Sequence, residues 1–317
     1  MRIPHVKMFL ILLVSLVVVP PLVRTQDVKQ VDRRGWQIIF ESERDGHREI
    51  YVMNPDGSNQ QRLTYTPGTG EGSWSPRWSP DRTRIAFTST REGDLNEIYV
   101  MDGDGSNVHR LTSGKESANP AWSPDGKRIA FESGRDGNWD IYVMDADASN
   151  VHRLRHPTGT GKTSENPDWS PDGRRIAFEF SGDGRYEIYD IYTVGRDGSN
   201  VHQLTHGPGT AMGNWRPRWS PDGKRIAFSS GRERDYEIYT INADGSDLRR
   251  LTHNSGKGLD NRHPDWSPDG RKIVFQSTRD GKSNNWYHNF EMYVMDVGGS
   301  NVKRLTFNQA WDGHPDW

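Results

Sequence analysis

From residue 36 onward, short apolar runs alternate with polar, turn-forming stretches at a regular interval. Each unit opens at a tryptophan that leads into Ser-Pro-Asp, at Trp78, Trp122, Trp169, Trp219 and Trp266, and a sixth tryptophan, Trp317, ends the chain. The intervals are 44, 47, 50, 47 and 51 residues. A short apolar run follows each turn, such as Arg128-Ile-Ala-Phe131 or Lys272-Ile-Val-Phe275. A polar stretch (Ser133 to Gly137) then leads to a second run, Asp140-Ile-Tyr-Val-Met144. An Asp-Gly-Ser-Asn turn and a run ending in Arg-Leu-Thr complete the unit, as in Asp104 to Thr112. Pro presets φ, Asp bonds its own backbone and Gly takes φ > 0, so the polar stretches read as tight turns.

Four short strands therefore recur in every unit: A (ending on Trp), B (Ile-Ala-Phe), C (Ile-Tyr-Val) and D (Arg-Leu-Thr). Four antiparallel strands every 40–50 residues is the signature of a propeller blade. No helical periodicity at a shorter repeat, as in TPR or ankyrin arrays, is present. The B element occurs six times, at Ile38, Ile85, Ile129, Ile176, Ile226 and Ile273. The first has no strand A before it, and the last Trp strand has nothing after it. Joining them predicts an all-β, six-bladed β-propeller over residues 36–317, with Gly313–Trp317 supplying strand A of the N-terminal blade. Closure of this kind removes the free sheet edges.

Composition changes this picture little. Hydrophobic residues make up only 32% of the chain, but the 12 Trp, 11 Tyr and 10 Phe carry much buried area per residue. The net charge of −2 gives no reason to expect nucleic acid as partner. No cysteine is present, which excludes disulfides, thiolate chemistry, Cys-ligated metals and a lipid-modified cysteine. Residues 1–25 read as a signal peptide: Arg2 and Lys7 precede an apolar Met8–Val19 run, and Pro20 and Pro21 end it. An uncleaved anchor is the alternative, because Val23-Arg24-Thr25 marks a cleavage site poorly. Residues 26–35 are a short linker. The expected compartment is the periplasm or the extracellular space, with no membrane span in the mature chain, which is expected to be a monomer.

The run Trp-Ser-Pro-Asp-Gly-Lys/Arg-Arg-Ile-Ala-Phe, then Ile-Tyr-Val-Met, Asp-Gly-Ser-Asn and Arg-Leu-Thr, resembles the WD40-like repeat of the TolB propeller family, from Trp36 to Trp317. The resemblance implies the fold strongly and the function weakly. Related propellers serve as periplasmic scaffold proteins, as modules of serine peptidases and in a pectic-oligosaccharide lyase. Full TolB carries an α/β domain before the propeller; here about ten residues separate the expected signal peptide from the first blade.

A repeat separates scaffold from site: what recurs is scaffold, and what departs is a candidate for function. The six repeat tryptophans read as packing between blades. Arg44, Arg91, Arg135 and Arg279 recur ahead of Glu49, Glu97, Asp140 and Glu291, which suggests a charge pair within each blade. His109, His152 and His202 share one strand D position with Arg249 and Lys303 and read as a solvated face. Asp102-Gly-Asp104 and Asp145-Ala-Asp147 resemble the start of a calcium loop but lack its closing Glu, so they read as plain turns.

Variable D–A and B–C connections share one face, where binding sites on rigid scaffolds concentrate. The longer ones are Tyr65–Arg77, His156–Asp168, His206–Arg218, His253–Asp265 and Ser277–Phe290. Trp74, Trp215 and Trp311 are expected on D–A loops, and Trp139, Tyr186, Tyr236, Trp286 and Tyr287 on B–C loops, as recognition aromatics or as loop packing. The residue before the proline of each strand A should rim the channel: Ser75, Asn119, Asn166, Arg216, His263 and His314. Arg216, His263 and His314 are adjacent in blade order. With ordinary histidine pKa values they would hold a ligand carboxylate more tightly in mild acid.

Two functions compete. One is a non-catalytic binding module that takes a protein, peptide or glycan at the channel mouth and loop face and needs no cofactor. The other is a metal-dependent polysaccharide lyase using His263 and His314, with His253 or Asp312 as further ligands. A serine-peptidase remnant fails, because no Gly-x-Ser-x-Gly elbow exists.

Overall fold

The computed structural model describes residues 36–66, 72–154, 162–182, 189–207, 212–254, 258–280 and 289–317. The chain divides into two units, Met1–Arg34 and Gly35–Trp317, and every described residue belongs to the second. The expected signal peptide lies outside the described residues. Among those described, no helix is long and apolar enough to cross a membrane.

Six four-stranded antiparallel sheets account for the described strands. Strand A is Ser73–Trp78 in blade 2, Ser117–Trp122 in blade 3, Thr163–Trp169 in blade 4, Asn214–Trp219 in blade 5 and Asn261–Trp266 in blade 6. In blade 1 it is Asp312–Asp316, which pairs antiparallel with Ile38–Ser42, so the ring closes as the repeat count requires. Because each blade is an antiparallel meander, A–B and C–D turns share one end and B–C and D–A connections the other.

The A–B turn shows why the motif is Ser-Pro-Asp-Gly. Ser123 Oγ donates to Asp125 Oδ1 at 2.6 Å and accepts from the Arg128 N–H at 2.9 Å. Gly173 adopts φ +65°, and a Cβ there would come within 3.3 Å of Pro124 in the preceding blade's turn. In blade 2 Arg82 takes this left-handed conformation (φ 60°) instead, with its guanidinium donating to the Gln37 carbonyl.

Strand B alternates between the two junctions its blade makes. Ile85 and Phe87 join the cluster shared with blade 1, whereas Ala86 joins the one shared with blade 3. The same alternation repeats at all six junctions, including blade 6 to blade 1, where Val274 and Met292 meet Phe40, Met53 and Trp317. Trp122, Trp169, Trp219, Trp266 and Trp317 are buried in these clusters, and Trp78 is half-buried.

The recurrent arginines do not pair with the acids that follow them. Arg135 donates to Ser133 and Ser117 and lies over Phe131 and Tyr142, and Arg91 and Arg279 repeat the arrangement. Arg44 reaches Asp312 at 2.9 Å. The strand C acids pair with the arginine of strand D instead: Glu49 with Arg62 at 2.9 Å and Glu291 with Arg304 at 2.7 Å. Antiparallel C–D pairing puts each arginine opposite the strand C tyrosine and so on a diagonal from the acid two residues earlier, and the threonine two residues after the arginine donates to the same carboxylate. His109, His152 and His202 are exposed, as their shared position with Arg249 and Lys303 implied.

Candidate functional site at the channel mouth

Every strand A carries a bulge at the residue before its proline. Ser75, Asn119, Asn166, Arg216, His263 and His314 all adopt φ between 46° and 55°, and the A–B register shifts there in each blade. The bulge frees one backbone N–H per blade, and the preceding blade's strand B supplies its acceptor. Asn119 N–H donates to Thr88 Oγ1 (3.1 Å), Asn166 to Glu132 (2.8 Å), His263 to Ser229 Oγ (2.8 Å) and His314 to Gln276 (2.9 Å). Ser75 donates to Glu41 and Arg216 to Glu179 in the same way. One hydrogen bond of this kind crosses each of the six junctions, so the rim is also the structural girdle of the channel.

The side chains differ where the backbone repeats. Ser75 Oγ donates to Asn119 Oδ1, and Asn119 Nδ2 to Glu132 at 2.8 Å. The His263 and His314 rings stack at 4.2 Å, with Nδ1 of His263 2.9 Å from Gln276 Oε1 and Nδ1 of His314 against Glu41 Oε1. The Arg216 guanidinium makes no hydrogen bond or ion pair among the described residues. Asn is the residue that tolerates the left-handed region best after Gly. Blades 3 and 4 carry it, and His263 and His314 of blades 6 and 1 are also of a type enriched there; Ser75 of blade 2 and Arg216 of blade 5 are the less usual occupants.

Burial dominates the electrostatics. Desolvation pushes the Glu41 carboxyl up to about 7, against the opposing pull of Arg48. It pushes Glu132 to about 8 and Glu179 to about 7, with Glu165 adding repulsion to both. The Glu165 carboxyl is itself raised by desolvation. His263 and His314 are held well below the ordinary histidine value, first by burial and then by neighbouring positive charge, Arg216 among it. Burial thus disfavours the cationic form of these histidines, the opposite direction to the ordinary titration expected from sequence. In this rim the groups that titrate near neutrality are glutamates.

A second tier lies two residues further along each strand, at Arg77, Ala121, Asp168, Arg218, Asp265 and Asp316. Arg77 pairs with Asp168 and, at 3.0 Å, with Asp316, while Arg218 lies 3.7 Å from Asp265. The aspartates also accept the backbone N–H of the next blade's tryptophan: Asp316 from Trp78, Asp168 from Trp219 and Asp265 from Trp317. Burial and Asp316 raise the Asp265 carboxyl to about 7. Sequence reasoning missed this tier, although the signal was present. The Pro-x-Trp column mixes Arg, Asp and Ala where the flanking columns are constant.

The aromatics need correcting in part. Trp74 and Trp215 lie within strand A and not on D–A loops, because strand A begins earlier than the tryptophan count suggested. Both are half-buried. Trp215 packs between Tyr189 (6.2 Å) and Tyr236 (5.5 Å), and Arg262 lies 4.2 Å over the Tyr236 ring. Tyr236 is buried within a strand C that the B–C loop expectation had not reached. Trp311 does precede strand A, half-buried beneath Arg48 (5.0 Å) and beside His314 (5.4 Å). Trp286, Tyr287 and Tyr186 lie outside the described residues. Two exposed aromatics escaped attention: Tyr65 (69% exposed) and Phe307 (74% exposed) follow the Arg-Leu-Thr of neighbouring blades, where other blades have Ser113, His206 and His253.

The TolB beta propeller domain matches residues 69–208 and 209–317. The chain belongs to the TolB β-propeller family. Among solved structures it is similar to TolB from Acinetobacter baumannii, with a TM-score of 0.69 and 26% identity, covering 89% of this chain and 66% of that one. A putative TolB from Agrobacterium tumefaciens gives 0.68 and 24%, covering 87% and 91%. An oligogalacturonate lyase from Vibrio parahaemolyticus gives 0.57 and 19%, covering 86% and 75%, a likeness of fold alone. The chain thus spans slightly less than two thirds of the Acinetobacter protein. No match was found among the curated proteins.

Membership of the TolB propeller family sets a fold and leaves the site to be argued from its chemistry. Among the described residues, no group of three or more His, Asp or Glu is placed to hold a metal ion. Asp312, one of the further ligands considered, is engaged by Arg44 and Asn308, and His253 is exposed. The rim offers one unpaired guanidinium, neutral imidazoles, amides and half-buried aromatic rings, a set suited to recognition by hydrogen bonds and stacking.

Proposed function

We propose that the protein is a secreted, non-catalytic binding module that takes a protein, peptide or glycan on the face bearing the D–A and B–C connections, centred on the channel mouth. One observation carries this reading. Among six equivalent left-handed positions that make the same backbone bond, three neighbouring blades place the large side chains of Arg216, His263 and His314, where the others carry Ser75, Asn119 and Asn166. A change of side-chain chemistry confined to one sector of an otherwise repeating rim supports a recognition role for those side chains. Arg216, Asn119 and Asn166 supply polar contacts there, with Trp74, Trp215 and Trp311 as half-buried walls; Trp286 and Tyr287, outside the described residues, belong to the proposed site on the sequence pattern alone. Tyr65 and Phe307 extend the surface outward with exposed rings, each under an arginine of its own strand D, Arg62 at 4.4 Å and Arg304 at 4.8 Å, and aromatics with arginines are enriched at recognition surfaces. Export to the periplasm or beyond rests on the apolar Met8–Val19 segment.

Two measurements test the proposal. N-terminal sequencing of the protein from a periplasmic or culture fraction should find Met1–Thr25 removed. The immobilised protein should capture a partner from that fraction, and a Tyr65→Ala/Phe307→Ala variant should capture far less. Full capture by that variant, with loss on changing the turn-face residue Lys224 to Ala, would place the site on the opposite face.

A further inference from the structure

Beneath the rim the channel contains a small cavity between the two tiers, lined by Ser75, Asn119, Asn166, Arg77, Arg216 and Arg218, with His314 and four prolines completing the wall. Three guanidinium groups meet there, and no carboxylate lines the space. The prolines contribute no N–H. Donors exceed acceptors: Nη1 of Arg77 and Nε of Arg218 are buried without a hydrogen-bond partner, and Arg216 has none among the described residues. Arg218 is buried in full view of two like charges; desolvation and then the Arg77 charge push its guanidinium down to about 10. Its nearest compensation is an ion pair at 3.7 Å with Asp265. Asp168 and Asp316 compensate Arg77 and Asp265 compensates Arg218 at longer range, but the Arg216 guanidinium has no anion in contact among the described residues, and buried charged donors left unpaired are costly.

We propose that the channel holds one chloride-sized monovalent anion between Arg77, Arg216 and Arg218. The cavity has room for about one water-sized body, so sulfate, phosphate and a carboxylate are too large for it, and a halide fits if the arginine heads give slightly. A halide accepts from several donors at once, which suits guanidinium groups arriving from blades 2 and 5. It offsets the arginine crowding while the aspartates stay committed to Arg77, Arg218 and the tryptophan N–H groups. The anion shares Arg216 with the candidate partner surface, but the anomalous peak and the salt-specific midpoint are read without any partner, so its failure and the failure of the binding reading are separately visible.

The direct test is a crystal of the full chain grown with sodium bromide at about 0.15 M, the physiological ionic strength. The expected result is one bromine anomalous peak inside the channel, between the three guanidinium groups. Density without anomalous signal there, which identifies water, overturns the proposal. In solution, the thermal midpoint should rise saturably with sodium chloride relative to sodium gluconate at equal ionic strength and pH 7.5, and sulfate should give no specific rise. Arg216→Gln, which removes a side chain free of partners and leaves the fold's bonds in place, should lose most of that chloride-specific shift. Identical midpoints in chloride and gluconate, or an undiminished shift in Arg216→Gln, contradict it.

Discussion

His314, four positions from the chain's last residue by inclusive count, places its Nδ1 against Oε1 of Glu41 in the first described strand. That contact joins the two ends of the propeller and lies inside the candidate site. Closure and function therefore share residues: the same strand that completes blade 1 delivers His314 to the rim and Asp316 to the second tier.

Deleting Gly313–Trp317 should lower stability by several kcal/mol. Trp317 alone is a buried aromatic whose truncation costs about 3–5 kcal/mol, and loss of Asp316 removes one of the two ion pairs of Arg77 and leaves the Trp78 N–H unpaired. Urea unfolding monitored by tryptophan fluorescence would measure the loss. An unchanged midpoint would contradict closure through this strand.

Position within the repeat should decide the cost of losing a tryptophan. Trp122→Ala should cost about 3–5 kcal/mol as a core truncation. Trp215→Ala, from a half-buried position on the same strand type, should cost about 2 kcal/mol or less. Equal losses in thermal unfolding would make Trp215 a core residue and weaken the case for a recognition surface.

The pH dependence of stability should carry two opposing signatures. Glu179 has a folded pKa raised to about 7 from 4.5, so its contribution is fully present below about 4.5 and is lost as pH rises through 7. Blade 6 has Gln276 at the equivalent position, accepting the same kind of backbone N–H. Glu179→Gln should therefore flatten the decline and leave the protein more stable at pH 8, by on the order of 1–3 kcal/mol. His314 has a folded pKa below 6.5, so its contribution is present above 6.5 and is lost as pH falls. His314→Gln should flatten that acid limb. Urea titrations between pH 5 and 8, compared with wild type, would give both slopes; steeper slopes in both variants would reverse the assignment.

Arg82 tests the turn chemistry. Glycine here would relieve a left-handed arginine, about 1–2 kcal/mol, but would remove its bond to the Gln37 carbonyl, about 1 kcal/mol. Arg82→Gly should fall within about 1 kcal/mol of wild type by chemical denaturation. A loss of 3 kcal/mol or more would mean that the Arg82 contact with Trp78 dominates.

Blade number, strand order and closure were legible because each turn has its own chemistry and each strand its own alternation, six times over. The rim was legible for a related reason: a column that varies while Pro and Trp beside it stay constant stands out. What stayed hidden depends on burial and on contacts between columns. Nothing in the spacing tells that Glu41, Glu132 and Glu179 turn inward to cap bulge amides, or that burial and neighbouring positive charge hold His263 and His314 below the ordinary histidine value. Arg77 meets Asp168 and Asp316 only once the ring is closed. Trp215 read as a loop residue because the strand's start was inferred from its proline, whereas pairing continues past the bulge to Asn214.

The central claim is that the partner binds the face around the channel mouth. The most direct measurement is the dissociation constant of the captured partner for wild type, Arg216→Gln and Lys224→Ala, the last being an exposed change in the blade 5 A–B turn. The account predicts at least about tenfold weaker binding for Arg216→Gln, the scale expected of an arginine at the centre of an interface, and wild-type affinity for Lys224→Ala. Weakened binding by Lys224→Ala, with Arg216→Gln unchanged, would contradict it.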